Sequence, residues 1–364
     1  MRSWLVPILS LMMGVTSVQA AVIDVDGLTD SRGVGEDVEV LEDVDAGFSI
    51  QQVTSLPVSE QFVSSESATP SFGYTRSAVW VKLDFESRER RRVVLQLGYP
   101  LLDSVSLYLP QEGGGWHVEE TGDLLPFTSR SIEHTDFCFP IDVEGSTTAY
   151  LRVLTSSSMK LPLIVSSEPA FHRDASRSEM GYGLFFGILI AMLIYNGLTF
   201  MRLRDPTHIV YCGYVASISL FQAHMSGYGY RLLWPDAVDY QQFGLVSAIA
   251  AAVFFAAYFA QLFMNTAETM PWGHRILSGA IVVALPLVVL NVFLPYQVAI
   301  LISTVLAGCT SIAGVTVGWV GVRRGVRVAR FYTLAWTIFL LGVVAQVMVA
   351  GGILPVTPLT DKSY

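Results

Sequence analysis

The hydrophobic residues follow two different patterns in the two halves of the chain. Between residues 79 and 153, apolar side chains recur at every second position over short segments, which is typical of half-buried β-strands. Residues 181–200 instead form a run without a charged side chain, and a helix of that length spans the ~30 Å hydrocarbon core of a bilayer. The sequence therefore predicts a β-rich head followed by membrane-spanning helices.

The head contains several alternating segments separated by turn signals. The predicted strands cover residues 38–41, 79–85, 93–97, 105–109, 137–143 and 149–153. Glycine-containing turns are predicted at 112–115 and 144–146, and the acidic segment from 24 to 45 is predicted to be mainly solvated. Short strands without an amphipathic helix between them favour an antiparallel sandwich of the jelly-roll or a related kind.

Six apolar runs predict six membrane-spanning helices. Their approximate bounds are 181–200, 209–233, 243–263, 276–294, 298–322 and 331–354. The first, third and fifth loops between the runs contain several arginines, whereas the second and fourth contain only Arg231, which is opposed by Asp236 and Asp239. The positive-inside rule therefore places the odd loops in the cytoplasm and the head outside.

The first 20 residues have the layout of a secretory signal peptide. Arg2 precedes an apolar run over residues 4–15, and small residues precede Ala21. An uncleaved amphipathic anchor is the alternative. The signal peptide and the loop charges together predict a multi-pass protein of the bacterial cytoplasmic (inner) membrane with its head in the periplasm.

Composition and charge narrow the function. The chain is 52% hydrophobic and only 15% charged, with a mean hydropathy of +0.49, which is too apolar for a soluble protein of this length. Residues 21–178 contain 25 acidic and 12 basic side chains. Nucleic acid is therefore excluded as a partner, because no cluster of basic residues is present to contact phosphates.

The sequence offers no catalytic, metal or ion-transport motif. Of the three cysteines, only Cys138 lies in the head, so neither a disulfide within the head nor a cysteine metal cluster is expected. The polar residues inside the runs are Asn196, Gln222, His224, Gln261, Asn291 and Gln346. An ion-coupled transporter normally carries ionisable residues near the membrane midplane, so we expect these side chains to form interhelical hydrogen bonds. We predict no enzymatic activity, no cofactor and no bound metal.

Aromatic and arginine side chains in the head are the candidate ligand-binding residues. Trp80, Tyr99 and Trp116 have ring faces that can stack on a sugar, and Arg130 and Arg152 can hold a carboxylate or a hydroxyl. The alternative for Trp80 is packing in the core, where strand aromatics usually lie. Trp116 follows three glycines in a predicted loop, which makes it the stronger candidate.

Ordered motifs along the chain resemble one family. In the head they are residues 79–83 (VWVKL), 94–103 (VLQLGYPLLD), 122–127 (GDLLPF) with Arg130, and 150–153 (YLRV). In the helical part they are Gly187 with Tyr195 and Asn196, Asp205 with Tyr211, residues 259–263, and 325–332 (GVRVARFY) with Ala335 and Trp336. These segments are similar to bacterial seven-transmembrane receptors with diverse intracellular signalling modules, in the form with the type-two extracellular domain.

The resemblance implies a function and a set of partners. It implies a jelly-roll-like head that binds a carbohydrate or another small ligand, and a helix bundle in membrane lipid that passes the signal inward. Members of the family usually continue into a cytoplasmic module such as a diguanylate cyclase or a histidine kinase, and they commonly act as homodimers. We therefore expect a membrane sensory receptor; a membrane-anchored binding or accessory subunit without signalling is the alternative.

The predicted domains follow from these patterns. They are a signal peptide at 1–20, a periplasmic ligand-binding β-sandwich at 21–173, a helical membrane domain of six helices at 179–355 and a short external tail at 356–364. The family pattern includes a seventh helix and an output module, whereas this chain ends at Tyr364 after the sixth run. We therefore expect either a truncated receptor or signalling through a partner protein.

Overall fold

A computed structural model describes residues 21–350 of the 364-residue chain. The predicted signal peptide and the predicted external tail lie outside these residues. The strands are β1 Ile23–Asp24, β2 Ser31–Gly33, β3 Glu39–Asp43, β4 Val63–Ser64, β5 Ser71–Tyr74, β6 Ala78–Leu97, β7 Ser104–Pro110, β8 Trp116–Thr121, β9 Phe137–Leu154, β10 Ser158–Lys160 and β11 Leu163–Ser167. The helices are α1 Ile50–Val53, α2 Glu168–Leu203, α3 Pro206–Met225, α4 Tyr228–Leu232, α5 Val238–Phe263, α6 Thr266–Thr269, α7 Pro271–Leu290, α8 Tyr296–Arg323 and α9 Ala329–Ala350.

Two long antiparallel strands organise the head. β6 and β9 pair from Val79 opposite Val153 to Leu97 opposite Phe137, with an irregularity in the ladder between Ser87 and Arg91. Four of the predicted strands are therefore the two halves of two long strands. The predicted turn at 144–146 was wrong, because Gly145 adopts a φ of +64° inside β9 at the irregularity and the strand continues through it.

The two halves of these strands enclose one hydrophobic core. β3 and β7 flank the half that holds Val79, Val81 and Leu83, whereas β11 flanks the half that holds Leu95 and Leu97. All five of these side chains are buried in the same apolar cluster, because inward-pointing residues recur at every second position along β6. The predicted fold class, a jelly-roll-like β region followed by a helical membrane region, is confirmed.

The helical region contains a long helix at each of the six predicted apolar runs. Among the described residues, four helices are long and apolar enough to cross a membrane, namely α2, α5, α7 and α8. The run predicted at 209–233 is not one helix. α3 ends at Met225, and Gly227 turns the chain with a φ of +74° into the short helix α4.

The head joins the helical region without a linker. β11 ends at Ser167 and α2 begins at Glu168, so the end of the predicted head at residue 173 lies inside a helix. The first turns of α2 pack on the head, where Phe171 is buried beside Val94 and Cys138. Because β11 is hydrogen-bonded to both β6 and β2, α2 leads directly from the sheet of the head into a membrane-spanning segment.

Candidate functional site

The surface of the sheet opposite the sandwich core carries most of the candidate side chains. Trp80 of β6 lies opposite Arg152 of β9, Lys82 lies opposite Tyr150, and Tyr150 lies opposite Tyr108 of β7. Side chains at alternate positions of a strand point to the same side of the sheet. These residues therefore share one surface, which we call the outer face.

Aromatic rings cluster on the outer face. The ring of Trp116, at the start of β8, meets Tyr150 edge-on with 5.5 Å between the centroids, and the ring of Trp80 lies 5.4 Å from that of Tyr108. Trp116 is half-buried in a strand, so its predicted position in a loop was wrong. Trp80 is fully buried beneath the segment that contains α1, in agreement with the core interpretation of that residue.

Charged groups lie on the same face. The Nζ atom of Lys82 is 2.9 Å from Glu39 and 3.0 Å from Asp84, and the hydroxyl of Thr148 donates to Asp84 at 2.6 Å. Partial burial alone would lower the pKa of Lys82, but the hydrogen bonds to Glu39 and Asp84 outweigh it and raise the pKa. Ring faces beside fixed donors and acceptors are the combination that a hydroxylated ring requires.

Arg152 is fixed on the outer face. Its Nη2 donates to the backbone carbonyl oxygen of Ala46 at 2.9 Å, and its guanidinium carbon lies 5.9 Å from the centroid of the Trp80 ring. The remaining guanidinium nitrogens extend the polar part of the face next to the aromatic cluster. Of the five residues predicted from the sequence, Trp80, Trp116 and Arg152 thus come together.

Arg130 lies on the side of the head that meets the helical region. It is buried, and its Nη1 donates to the carbonyl oxygens of His134, at 2.9 Å, and Thr135. Its guanidinium carbon lies 4.7 Å from the ring of Phe127 and 4.4 Å from that of Phe137. Burial lowers the pKa of Arg130 to about 10. The two hydrogen bonds of Nη1 hold the loop of residues 134–135 in place.

Tyr99 also lies apart from the outer face. Its ring is half-buried and packs against the sandwich core. Three of the five predicted residues therefore share the outer face, whereas Tyr99 and Arg130 lie elsewhere in the head.

The head rests on the loop around α4. The hydroxyl of Tyr230 donates to the carbonyl oxygen of Leu125, and the backbone N–H of Phe127 donates to the carbonyl oxygen of Pro235 at 3.0 Å. A Cβ atom added at Gly227 would lie 3.1 Å from both Pro100 and the carbonyl oxygen of Thr135. The backbones approach closely here, and we call the region the head–bundle junction.

Ion pairs add to the junction at its edge. The guanidinium of Arg231 in α4 lies 2.7 Å from Glu179 of α2 and 3.5 Å from Glu133 of the head. Leu125 and Phe127 of the GDLLPF segment, residues 122–127, make contacts of the junction. From the sequence this segment is only a family motif, because the residues that contact it lie about a hundred positions later in the chain.

Within residues 21–350, no group of three or more His, Cys, Asp and Glu side chains has an arrangement that would hold a metal ion.

Comparison with known proteins gives two family matches. A family model described as "7TM diverse intracellular signalling" matches residues 178–364, and one described as "7TMR-DISM extracellular 2" matches residues 35–167. The first match covers the helical region and the second covers most of the head. A search of curated proteins found no match to the chain.

Proposed function

Because the chain belongs to the family of 7TM receptors with diverse intracellular signalling, which carry an extracellular sensor domain, we propose that its head binds a small carbohydrate at the outer face. The helix bundle then carries the signal across the bacterial inner membrane. The head lies in the periplasm in this proposal.

One observation supports the ligand site above the others. The half-buried rings of Trp116 and Tyr108 share the outer face with the charged pair Lys82 and Asp84, and Trp116 packs edge-on against the buried ring of Tyr150. Stacking on aromatic rings and hydrogen bonds to charged groups are the two interactions that hold sugars. The outer face provides both within one sheet surface.

The connection between β11 and α2 supports signalling rather than passive anchoring. A displacement of the sheet moves the start of α2 with it, because no flexible residue separates Ser167 from Glu168. The accessory-subunit alternative needs no such rigid connection. The output in our proposal is a cytoplasmic partner of the diguanylate cyclase or histidine kinase type, and the receptor acts as a homodimer.

Titration calorimetry of the full chain in detergent micelles with a panel of mono- and oligosaccharides tests the ligand site. We expect saturable binding that weakens at least tenfold in Trp116→Ala, since the exposed part of the stacking surface is lost. Trp272→Ala is the matched control, because Trp272 is a partly exposed tryptophan at the start of α7. Equal binding by the two variants would refute the outer face as the site.

Spin labels on Glu112 in the head and on Arg204 after α2 test the transmission. We expect the sugar to change the distance between the labels. Two glycines inserted between Ser167 and Glu168 should abolish that change while leaving sugar affinity intact, because they uncouple α2 from β11. No distance change in the wild type would favour the accessory-subunit function, whereas an unchanged response in the insertion variant would show that the β11–α2 connection does not carry the signal.

A further inference from the structure

A small compartment lies between the head and the helix bundle. The head contributes Asp103, Asp123 and Ser157 to its walls, and the bundle contributes Gln241 and Gln242 of α5 and Tyr296 of α8. Its volume is about 10 Å³, which is room for one group the size of a water molecule.

Two of the buried side chains that line this compartment have a polar atom without a hydrogen-bond partner among residues 21–350. Asp123 is 7% exposed and Gln241 is 2% exposed. Within the described part of the chain, neither Oδ1 of Asp123 nor Nε2 of Gln241 has a hydrogen-bond partner. Burial without a hydrogen-bond partner is unfavourable for a polar atom, and more so for a charged one, so both atoms favour a ligand that completes their hydrogen bonds.

The orientation of the Gln241 amide is set by a neighbouring tryptophan. Nε1 of Trp234 donates to Oε1 of Gln241 at 2.9 Å, and Nδ1 of His224 lies 3.2 Å from the same oxygen. An indole nitrogen can only donate, so Oε1 is the acceptor of this bond and the remaining atom at the compartment is the amide nitrogen.

The two atoms require opposite hydrogen-bonding roles from a ligand. An ionised Asp123 can only accept a hydrogen bond, whereas Nε2 of Gln241 can only donate one. An ammonium group would satisfy the carboxylate alone, and a carbonyl group would satisfy the amide alone. A hydroxyl group both donates and accepts, and it has the size of the compartment.

A larger recess adjoins the compartment and shares Gln242 and Tyr296 with it. Its volume is about 380 Å³, within the range of small-molecule sites. Asn291 lines it, is 2% exposed, and has no hydrogen-bond partner for either amide atom among the described residues. Phe243 and Val246 provide apolar walls.

We propose that the head–bundle junction binds a small polyhydroxylated molecule, with one hydroxyl between Asp123 and Gln241 and the rest of the molecule against Asn291 in the larger recess. This site is separate from the outer face and goes beyond the proposed function. Since the head and the bundle both contribute side chains, occupancy of this site stabilises their docked arrangement.

Calorimetry with glycerol, erythritol and myo-inositol as separate probes tests the proposal. The full chain in detergent micelles is titrated at pH 8 in the Trp116→Ala background, which removes the main stacking ring of the outer face. We expect saturable binding of at least one probe. Gln241→Glu keeps the acceptor for Trp234 but replaces the donor at the compartment, and Asp123→Leu removes the acceptor, so each should weaken binding at least tenfold.

Gln297→Glu is the matched control, because Gln297 is an exposed residue of the same junction. It should bind as the background chain does. The Asp123→Leu chain should melt no lower than the background chain, since it buries one charge less, which separates loss of binding from loss of folding.

Three results would overturn the proposal. Absence of saturable heat with all three probes means that only water occupies the compartment. Equal affinity in the two compartment variants and the control places the ligand elsewhere. Binding by the wild type that disappears in Trp116→Ala assigns the probe to the outer face, which leaves the proposed function standing and removes the junction site.

Discussion

The ring of Phe127 in the head packs edge-on against the ring of Tyr230 in α4, with 5.9 Å between their centroids. Tyr230 is almost fully buried, and its hydroxyl donates to the carbonyl oxygen of Leu125. Two residues of the GDLLPF segment are thus bound by one side chain of the helical region. A segment that carries the family resemblance of the head is therefore also a segment that docks it on the helical region.

Tyr230→Phe should weaken the junction while keeping the aromatic contact. The variant retains the ring against Phe127 but leaves the carbonyl oxygen of Leu125 without its donor, which costs about 1–3 kcal/mol when the acceptor is buried. We expect a lower free energy of unfolding and faster proteolytic cleavage of the loop that contains Leu125. Denaturation of the full chain in micelles and timed proteolysis measure the two effects.

Tyr258→Phe provides the comparison, because Tyr258 of α5 is a partly exposed tyrosine for which the structure shows no hydrogen bond to the head. In this variant, the loop that contains Leu125 should be cleaved at the wild-type rate. Equal rates for the two variants would mean that the Tyr230 hydroxyl does not hold the head.

Asp123→Asn should stabilise the full chain at alkaline pH and have little effect at acidic pH. Burial, the largest cause, and the nearby Asp103 raise the pKa of Asp123 to about 7 against the opposing effect of Arg130. The unfolded chain releases this proton near pH 4, whereas the folded chain keeps it until about pH 7. Ionisation of this carboxyl group therefore destabilises the fold progressively from pH 4 to pH 7. Above pH 7 the destabilisation has reached its full size.

The size of the effect follows from the shift in pKa. At 1.36 kcal/mol per unit, the wild type loses on the order of 4 kcal/mol across that interval, and the asparagine variant loses none of it. The melting temperatures of the two proteins, measured between pH 4 and pH 8, should diverge as the pH rises. Curves that stay parallel would show that the carboxyl group titrates normally in the folded chain.

The sequence predicted the β-rich head because its core residues alternate regularly along β6 and β9. It did not predict that each of these strands continues past the break in the pattern, because a glycine is as typical of a β-bulge as of a turn. Gly145 has a positive φ in either case. What distinguishes the bulge from the turn is the pairing of Gly145 in β9 with Ser87 in β6, which lies 58 positions earlier in the chain.

The candidate site was predicted less completely than the fold. Alternation places Trp80 on the face opposite Val79, but it does not reveal that the segment containing α1 covers that side chain. Trp116 was predicted to lie in a loop, whereas β8 holds it half-buried against the aromatic cluster, and the sequence pattern after the three glycines does not reveal this pairing. The junction could not be predicted, because Leu125 lies in a loop and Tyr230 in the short helix α4, 105 positions apart.

Gly122→Ala should destabilise the junction segment through a steric clash. A Cβ atom added at Gly122 would lie 2.0 Å from the carbonyl oxygen of Asp103 and 2.7 Å from its carbonyl carbon, both backbone atoms that cannot rotate away. We expect a loss of about 1–3 kcal/mol, as in other overpacked sites. Gly27→Ala has no atom within 4 Å of the added Cβ, so it should leave the melting temperature of the full chain unchanged. Similar melting temperatures for the two variants would contradict the close approach.

Reversal of the charge on Arg231 should loosen the junction, and a second reversal should restore it. The Arg231 side chain is 17% exposed and contacts Glu179 of α2 as well as Glu133 of the head, so Arg231→Glu brings three carboxylates together. Adding Glu179→Arg returns an opposite charge at the shorter contact. Since Glu179 is half-exposed, we expect a coupling free energy of about 0.5–1 kcal/mol, measured as a double-mutant cycle in unfolding of the full chain.

Raising the salt concentration should reduce this coupling, because screening weakens attraction between accessible charges. A cycle in which the two substitutions simply add at every salt concentration would show that Arg231 contributes packing alone, and that the ion pairs between α4, α2 and the head do not hold the junction.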